Sequence, residues 1–94
     1  MDHRLLSGEL QRVLRGTSDA NIGFEELCDL LRRMNFVERQ HRGSHRIFTR
    51  EGIVEILNLQ ARGGGQAKPY QVRQVRQLIL KYTLAGEVPD GDSQ

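Results

Sequence analysis

The chain is short of cysteine, aromatics and long apolar runs, and each shortage excludes something. Its one cysteine, Cys28, cannot close an internal disulfide and belongs to no CxxC pair, so neither an oxidising compartment nor a thiolate metal site is indicated. Tryptophan is absent and aromatic residues make up 5%, against an otherwise ordinary soluble balance of 37% hydrophobic and 28% charged residues. The apolar runs are brief, such as Ile53-Val54 and Leu78-Ile79-Leu80, and no basic-then-apolar signal pattern opens the chain. A cytoplasmic protein that neither enters nor crosses a membrane is expected. Ninety-four residues suffice for one domain.

What is present is positive charge, unevenly spread. The net charge is only +2, yet between Arg32 and Lys81 eleven basic residues stand against Glu38, Glu51 and Glu55, a local balance of +8 between two acidic ends. Twelve of the 14 cations are arginine, whose planar fork grips phosphate bidentately and stacks on bases. Nucleic acid therefore leads acidic protein as the partner class, although a solvated basic surface would show the same excess.

Along the chain, Leu6, Leu10, Val13 and Leu14 have helical spacing until Gly16, and Thr17 to Asn21 is rich in turn formers. Residues 1–20 are thus expected to form an accessory helix and linker. Phe24, Leu27, Cys28, Leu31 and Met34 build one apolar stripe of a second helix, with Glu25 and Glu26 in its first turn, Arg32 and Arg33 in its last, and Asn35 suited to a left-handed stop. Cys28 lies on that stripe and reads as core. Phe36 to His41, Ser44 to Thr49 and Ile53 to Leu59 read as three strands of an antiparallel meander, with turns at Arg42-Gly43 and Arg50-Glu51-Gly52. A loop is expected from Ala61 to Lys68. Its Gly63-Gly64-Gly65 runs into Gln66-Ala67-Lys68 and lacks the GK[ST] of a phosphate-binding loop. Pro69 opens the last helix, with Val72, Val75, Ile79 and Tyr82 as its apolar stripe and Arg73, Arg76 and Lys81 on other faces. Residues 86–94 are expected to be a flexible tail. The expected fold class is α+β: two helices cover one face of a three-stranded sheet and leave the other open.

Gly43-Ser44-His45-Arg46-Ile47-Phe48, placed after an amphipathic helix and a basic strand, resembles the HicA toxins, small mRNA interferases of bacterial type II toxin–antitoxin pairs. The resemblance runs from about Ile22 to Tyr82 and includes the Asn35-Phe36 junction and the final basic helix. It implies an α-β-β-β-α fold like the double-stranded RNA-binding domain over residues 21–85, here with an additional N-terminal helix. It also implies an mRNA substrate, a HicB-type antitoxin as partner, and His45 as the catalytic residue. The sequence departs from the commoner pattern after the third strand, where Asn58-Leu59-Gln60 and Lys68-Pro69-Tyr70 stand in place of a Pro-x-His segment and supply no second histidine.

The residues themselves agree with such chemistry. Cleaving RNA without a metal needs a base for the 2′-hydroxyl proton, an acid for the leaving oxygen and cations for the phosphorane charge. Imidazole titrates near neutral pH, which makes His45 the candidate for proton transfer. Arg39, Arg42, Arg46, Lys68 and Arg73 are the candidate RNA-binding cations. Ser44 joins them, with its hydroxyl expected to fix the turn because no His-Asp relay is visible. Strand alternation qualifies this set. If Phe48 faces the core, His45 faces solvent and Arg46 lies near the sheet edge, leaving Arg42 and Arg39 as the better phosphate ligands. His41 is a reserve proton carrier or an ordinary exposed histidine, and His3 is discounted. No acidic or histidine spacing suits a metal, and no cofactor is expected. The alternative function is a non-catalytic RNA-binding module of the same fold, and a third is a domain that docks an acidic protein.

Overall fold

Helical and strand periodicities alternate along the chain as the physical pattern demands. A computed structural model describes residues 4–43 and 45–87, with side chains described for 8–39, 43 and 45–86. The elements are α1 (Arg4–Arg15), α2 (Phe24–Arg33), β1 (Val37–Arg42), β2 (His45–Arg50), β3 (Ile53–Arg62), β4 (Gln66–Ala67) and α3 (Pro69–Lys81), with single 3-10 turns at Asp19–Asn21, Gly63–Gly65 and Ala85–Glu87. The class is mixed α+β. All four strands pair antiparallel in the order β1-β2-β3-β4.

Helix α2 is bounded by local chemistry. The Gly23 N–H donates to Glu26 Oε1 at 2.9 Å, which satisfies one of the orphan donors at the helix start. At the other end Asn35 adopts φ 68, the left-handed stop that its short amide tolerates. The expected stripe is buried in full: Phe24, Leu27, Cys28, Leu31 and Met34 are each at most 5% exposed, and Leu30 joins them. On α3 the residues Val72, Val75 and Ile79 are buried as expected, and Leu78 and Gln71 are buried beside them. From the sheet, Phe48, Leu57, Leu59 and Ala67 point into the same core, all at 0% exposure.

Two expectations are corrected. The segment from Ala61 to Lys68 is not a loop. Strand β3 continues to Arg62, and after a turn at Gly63–Gly65 the chain returns as β4, pairing Ala61 with Ala67 and Arg62 with Gln66. Gly64 and Gly65, at φ 79 and 74, take the positive-φ conformations that let the chain reverse within three residues. The sheet therefore has four strands instead of three. Strand β1 also begins one residue later than expected, at Val37, with Phe36 buried at 4% exposure before the ladder starts.

Helix α1, expected as an accessory, lends Val13 to the core at 2% exposure, with Leu10 and Leu14 packed against it. Polar ties reinforce that contact. Arg33 Nη1 donates to Glu9 Oε1 at 2.7 Å, while Arg76 Nη1 reaches both the Val13 carbonyl and Asp19 Oδ1 at 3.0 Å. Residues 86–87 close the described chain, and the rest of the expected tail lies outside the described residues. Among the described residues no helix is long and apolar enough to cross a membrane.

Candidate functional site on the open sheet face

The helices cover one face of the sheet, and alternation decides what the other face carries. Leu57 and Leu59 point inward, so Asn58 and Gln60 of β3 point outward. On β2 the inward residue is Phe48, so His45 and Ile47 share the outer face. The register pairs His45 with Gln60 and Ile47 with Asn58, which brings the three polar side chains of these strands together.

His45 Nδ1 lies 3.0 Å from Asn58 Oδ1. A neutral ring that donates its Nδ1–H there keeps the lone pair on Nε2, the other ring nitrogen. Lys68, at the start of α3, sends its ammonium to Gln60 Oε1 at 3.0 Å, next to the register partner of His45. Gln71, 1% exposed, fastens the helix to this part of the strand: the Gln60 N–H donates to its Oε1 at 3.2 Å, and its Nε2 donates to the Asn58 carbonyl at 3.1 Å. The same Nε2 donates to the Tyr70 hydroxyl at 3.2 Å. An imidazole, an amide bonded to it and a cation thus lie along one stretch of open sheet. The outer face turns apolar towards the β2–β3 turn, where Val54 and Ile56 are 82% and 63% exposed.

The other expected site residues divide. Arg73 is exposed on the turn of α3 that follows Tyr70, and Arg39 is exposed at the point where the β1–β2 register shifts between Glu38 and Gln40. Neither forms an ion pair among the described residues. The backbone of Arg42 pairs with His45 across β1 and β2. Its side chain, the side chain of His41, the whole of Ser44 and His3 lie outside the described residues.

Arg46 does not join His45. Its neighbour in sequence takes the outer face, so Arg46 turns to the helix side, with Nη2 2.8 Å from Glu25 Oε2 and the guanidinium 5.2 Å from the Phe24 ring centroid. The expectation of Arg46 near the sheet edge misjudged this pairing, because the sequence does not reveal that Glu25 on the first turn of α2 stands over β2. The hydrogen bond from Arg46 holds the Glu25 carboxyl below its ordinary range. Cys28 is fully buried, and burial pushes its thiol up, which keeps it protonated and unreactive.

Asn58, Gln60 and Gln71 were not among the expected site residues, although a signal existed for each. The turn at Arg50-Glu51-Gly52 sets the β2–β3 register, and alternation from Leu57 and Leu59 then places both polar residues on the face that His45 shares, Gln60 opposite it and Asn58 diagonal to it. Gln71, Val75 and Leu78 have the i, i+4, i+7 spacing of a buried face, so a glutamine on it needed a partner. Among the described residues no three His, Cys, Asp or Glu side chains gather as metal ligands would. No family model matches the chain, and no curated protein or solved structure matches it.

Proposed function

We propose that the chain is a metal-independent endoribonuclease acting through His45, the toxin of a HicA-type toxin–antitoxin pair that cleaves mRNA in the cytoplasm. The observation that carries this reading is His45 on the uncovered face, with Nδ1 held by Asn58 and the ammonium of Lys68 beside its register partner. The order α2-β1-β2-β3-α3 is compatible with a double-stranded RNA-binding-domain-like core, to which α1 and the short β4 are additions.

In this reading RNA lies across the open face, drawn by the +8 segment from Arg32 to Lys81. His45 Nε2 takes the proton of a 2′-hydroxyl, and the oxygen so freed attacks the adjacent phosphorus. Lys68, with Arg39, Arg42 and Arg73 as further cations, offsets the charge that builds on the phosphorane oxygens. The bond to the 5′-oxygen breaks, the imidazolium returns the proton to that leaving oxygen, and a 2′,3′-cyclic phosphate remains. Arg46 has no part in this, since Glu25 holds it on the other face. A HicB-type antitoxin is the partner this reading calls for, and covering His45 is its most direct route to inhibition.

Inducible expression of the wild type beside His45→Ala tests the proposal. Growth arrest and RNA cleavage with the first and neither with the second is the expected result. Retained RNA binding with no cleavage by the wild type would favour the non-catalytic RNA-binding module.

A further inference from the structure

The geometry points to Asn58 as a positioning residue: its carboxamide fixes the His45 imidazole with the proton on Nδ1 and the lone pair on Nε2. The consequence for catalysis rests on the endoribonuclease reading above, whereas the protonation pattern itself does not.

A neutral imidazole has one N–H and one lone pair, and the hydrogen bond made by one nitrogen decides the role of the other. Asn58 Oδ1 stands 3.0 Å from Nδ1. A carbonyl oxygen only accepts, so this bond exists only in the ring form that is protonated at Nδ1. Gln60, the direct register partner of His45, gives its Oε1 to Lys68, which leaves the diagonal neighbour Asn58 to orient the ring.

Asn58 can hold a ring still only if its own strand is held still. Leu57 and Leu59, both fully buried, pin the side-chain alternation on either side of it. The buried Gln71 amide then clamps the Asn58 carbonyl and the Gln60 N–H, one on each side of Leu59. A slip of β3 by one residue would break both bonds and bury Asn58. Basicity at Nε2 is therefore a property built from β2, β3 and α3 together.

The test is spectroscopic. Full-length protein labelled with 15N is compared as wild type, Asn58→Leu and Asn58→Asp in long-range 15N–1H correlation spectra of the imidazole rings. The pH is high enough for the rings to be neutral, and His45 is assigned with His45→Gln. In the wild type Nδ1 should give a pyrrole-like and Nε2 a pyridine-like nitrogen signal. Asn58→Asp, which keeps an acceptor oxygen in place, should retain that pattern. Asn58→Leu should move both signals towards the average of two exchanging forms. A wild-type ring protonated at Nε2, or a Leu variant that folds and gives the wild-type pattern, overturns the inference. The wild-type spectrum decides even if the Leu variant fails to fold.

Cleavage kinetics read the consequence. Asn58→Leu should lower kcat about fivefold, the population change that one neutral hydrogen bond sustains, with KM unmoved and Asn58→Asp restoring the rate. Unchanged kcat in an Asn58→Leu protein whose ring has lost its pattern overturns the positioning role. If the wild type shows the expected ring and cuts no RNA, the endoribonuclease reading fails and the assignment of the ring stands.

Discussion

Replacing Gln71 by leucine should weaken the fold at one identifiable place. The side chain is 1% exposed and its amide serves two peptide groups of β3, the Gln60 N–H at 3.2 Å and the Asn58 carbonyl at 3.1 Å. Leucine fills nearly the same volume but offers neither donor nor acceptor. A buried polar group left without a partner costs ~1–3 kcal/mol, and two are created here. Asn58 is exposed and Gln60 half-buried, so water takes up part of that loss and the lower end of the range applies to each. The apolar gain of the buried leucine offsets about 1 kcal/mol. The net loss should then be about 1 kcal/mol. With a urea slope of about 1 kcal/mol per molar for a chain of this size, the unfolding midpoint should fall by roughly 1 M. Hydrogen exchange should show the Gln60 amide losing protection while the amides of α2 keep theirs. A Leu variant with an unchanged or higher midpoint and a protected Gln60 amide would refute the assignment of Gln71 as the strand clamp.

Other outcomes follow from the same structure. Val13→Ala removes two buried methyl groups and should cost about 2 kcal/mol in chemical denaturation; a cost of a few tenths would make α1 the detachable accessory that the sequence suggests. RNA cleavage should survive excess EDTA and spare a DNA oligonucleotide of the same sequence, since the nucleophile is the 2′-hydroxyl; chelator-sensitive cutting or equal cutting of DNA refutes the mechanism. Arg39→Ala, Lys68→Ala and Arg73→Ala should each reduce the slope of log affinity against log salt by about 1, whereas Arg46→Ala should leave the slope alone and cost roughly 1 kcal/mol of stability. Equal slopes for all four variants would mean that RNA does not use the face described. The Glu25 carboxyl is lowered from 4.5 by its bond to Arg46, so the pair's contribution is present above that pH and lost as pH falls below it. In Arg46→Ala this acid-side loss should be smaller than in the wild type, as read from midpoints between pH 3 and pH 6, on the order of the titration range of a carboxylate.

Much of this was legible in the sequence because periodicity is a local property. The stripe on α2, the stop at Asn35 and the start of α3 at Pro69 each depend on residues a few places apart, and the structure has them where spacing puts them. The pairing of β4 was hidden, since Gln66-Ala67 is too short to show alternation and is held by partners at Ala61 and Arg62 across a glycine turn. The placement of His45 on the outer face was legible by alternation from Phe48. Of its neighbours Lys68 was picked out as a cation, but Asn58 and Gln60 were not, because these side chains meet through a register and a helix docking that no single window contains. Arg46 shows the converse: adjacent to His45 in sequence, it lies on the opposite side of the sheet, where a residue 21 positions away claims it.

The register shift between Glu38 and Gln40 lies on β1, one of the two outer strands of the sheet. An outer strand offers a row of unpaired peptide groups, which is a template for joining another chain. One extra residue at Arg39 throws that row out of step halfway along and twists the strand locally. The exposed guanidinium at the kink adds a charge that a second strand laid alongside would have to strip of water. A neighbouring chain could therefore pair with only two or three residues of β1 before losing step. The protein can keep one face of its sheet bare, as its proposed work requires, without the β1 rim offering a long template for another strand.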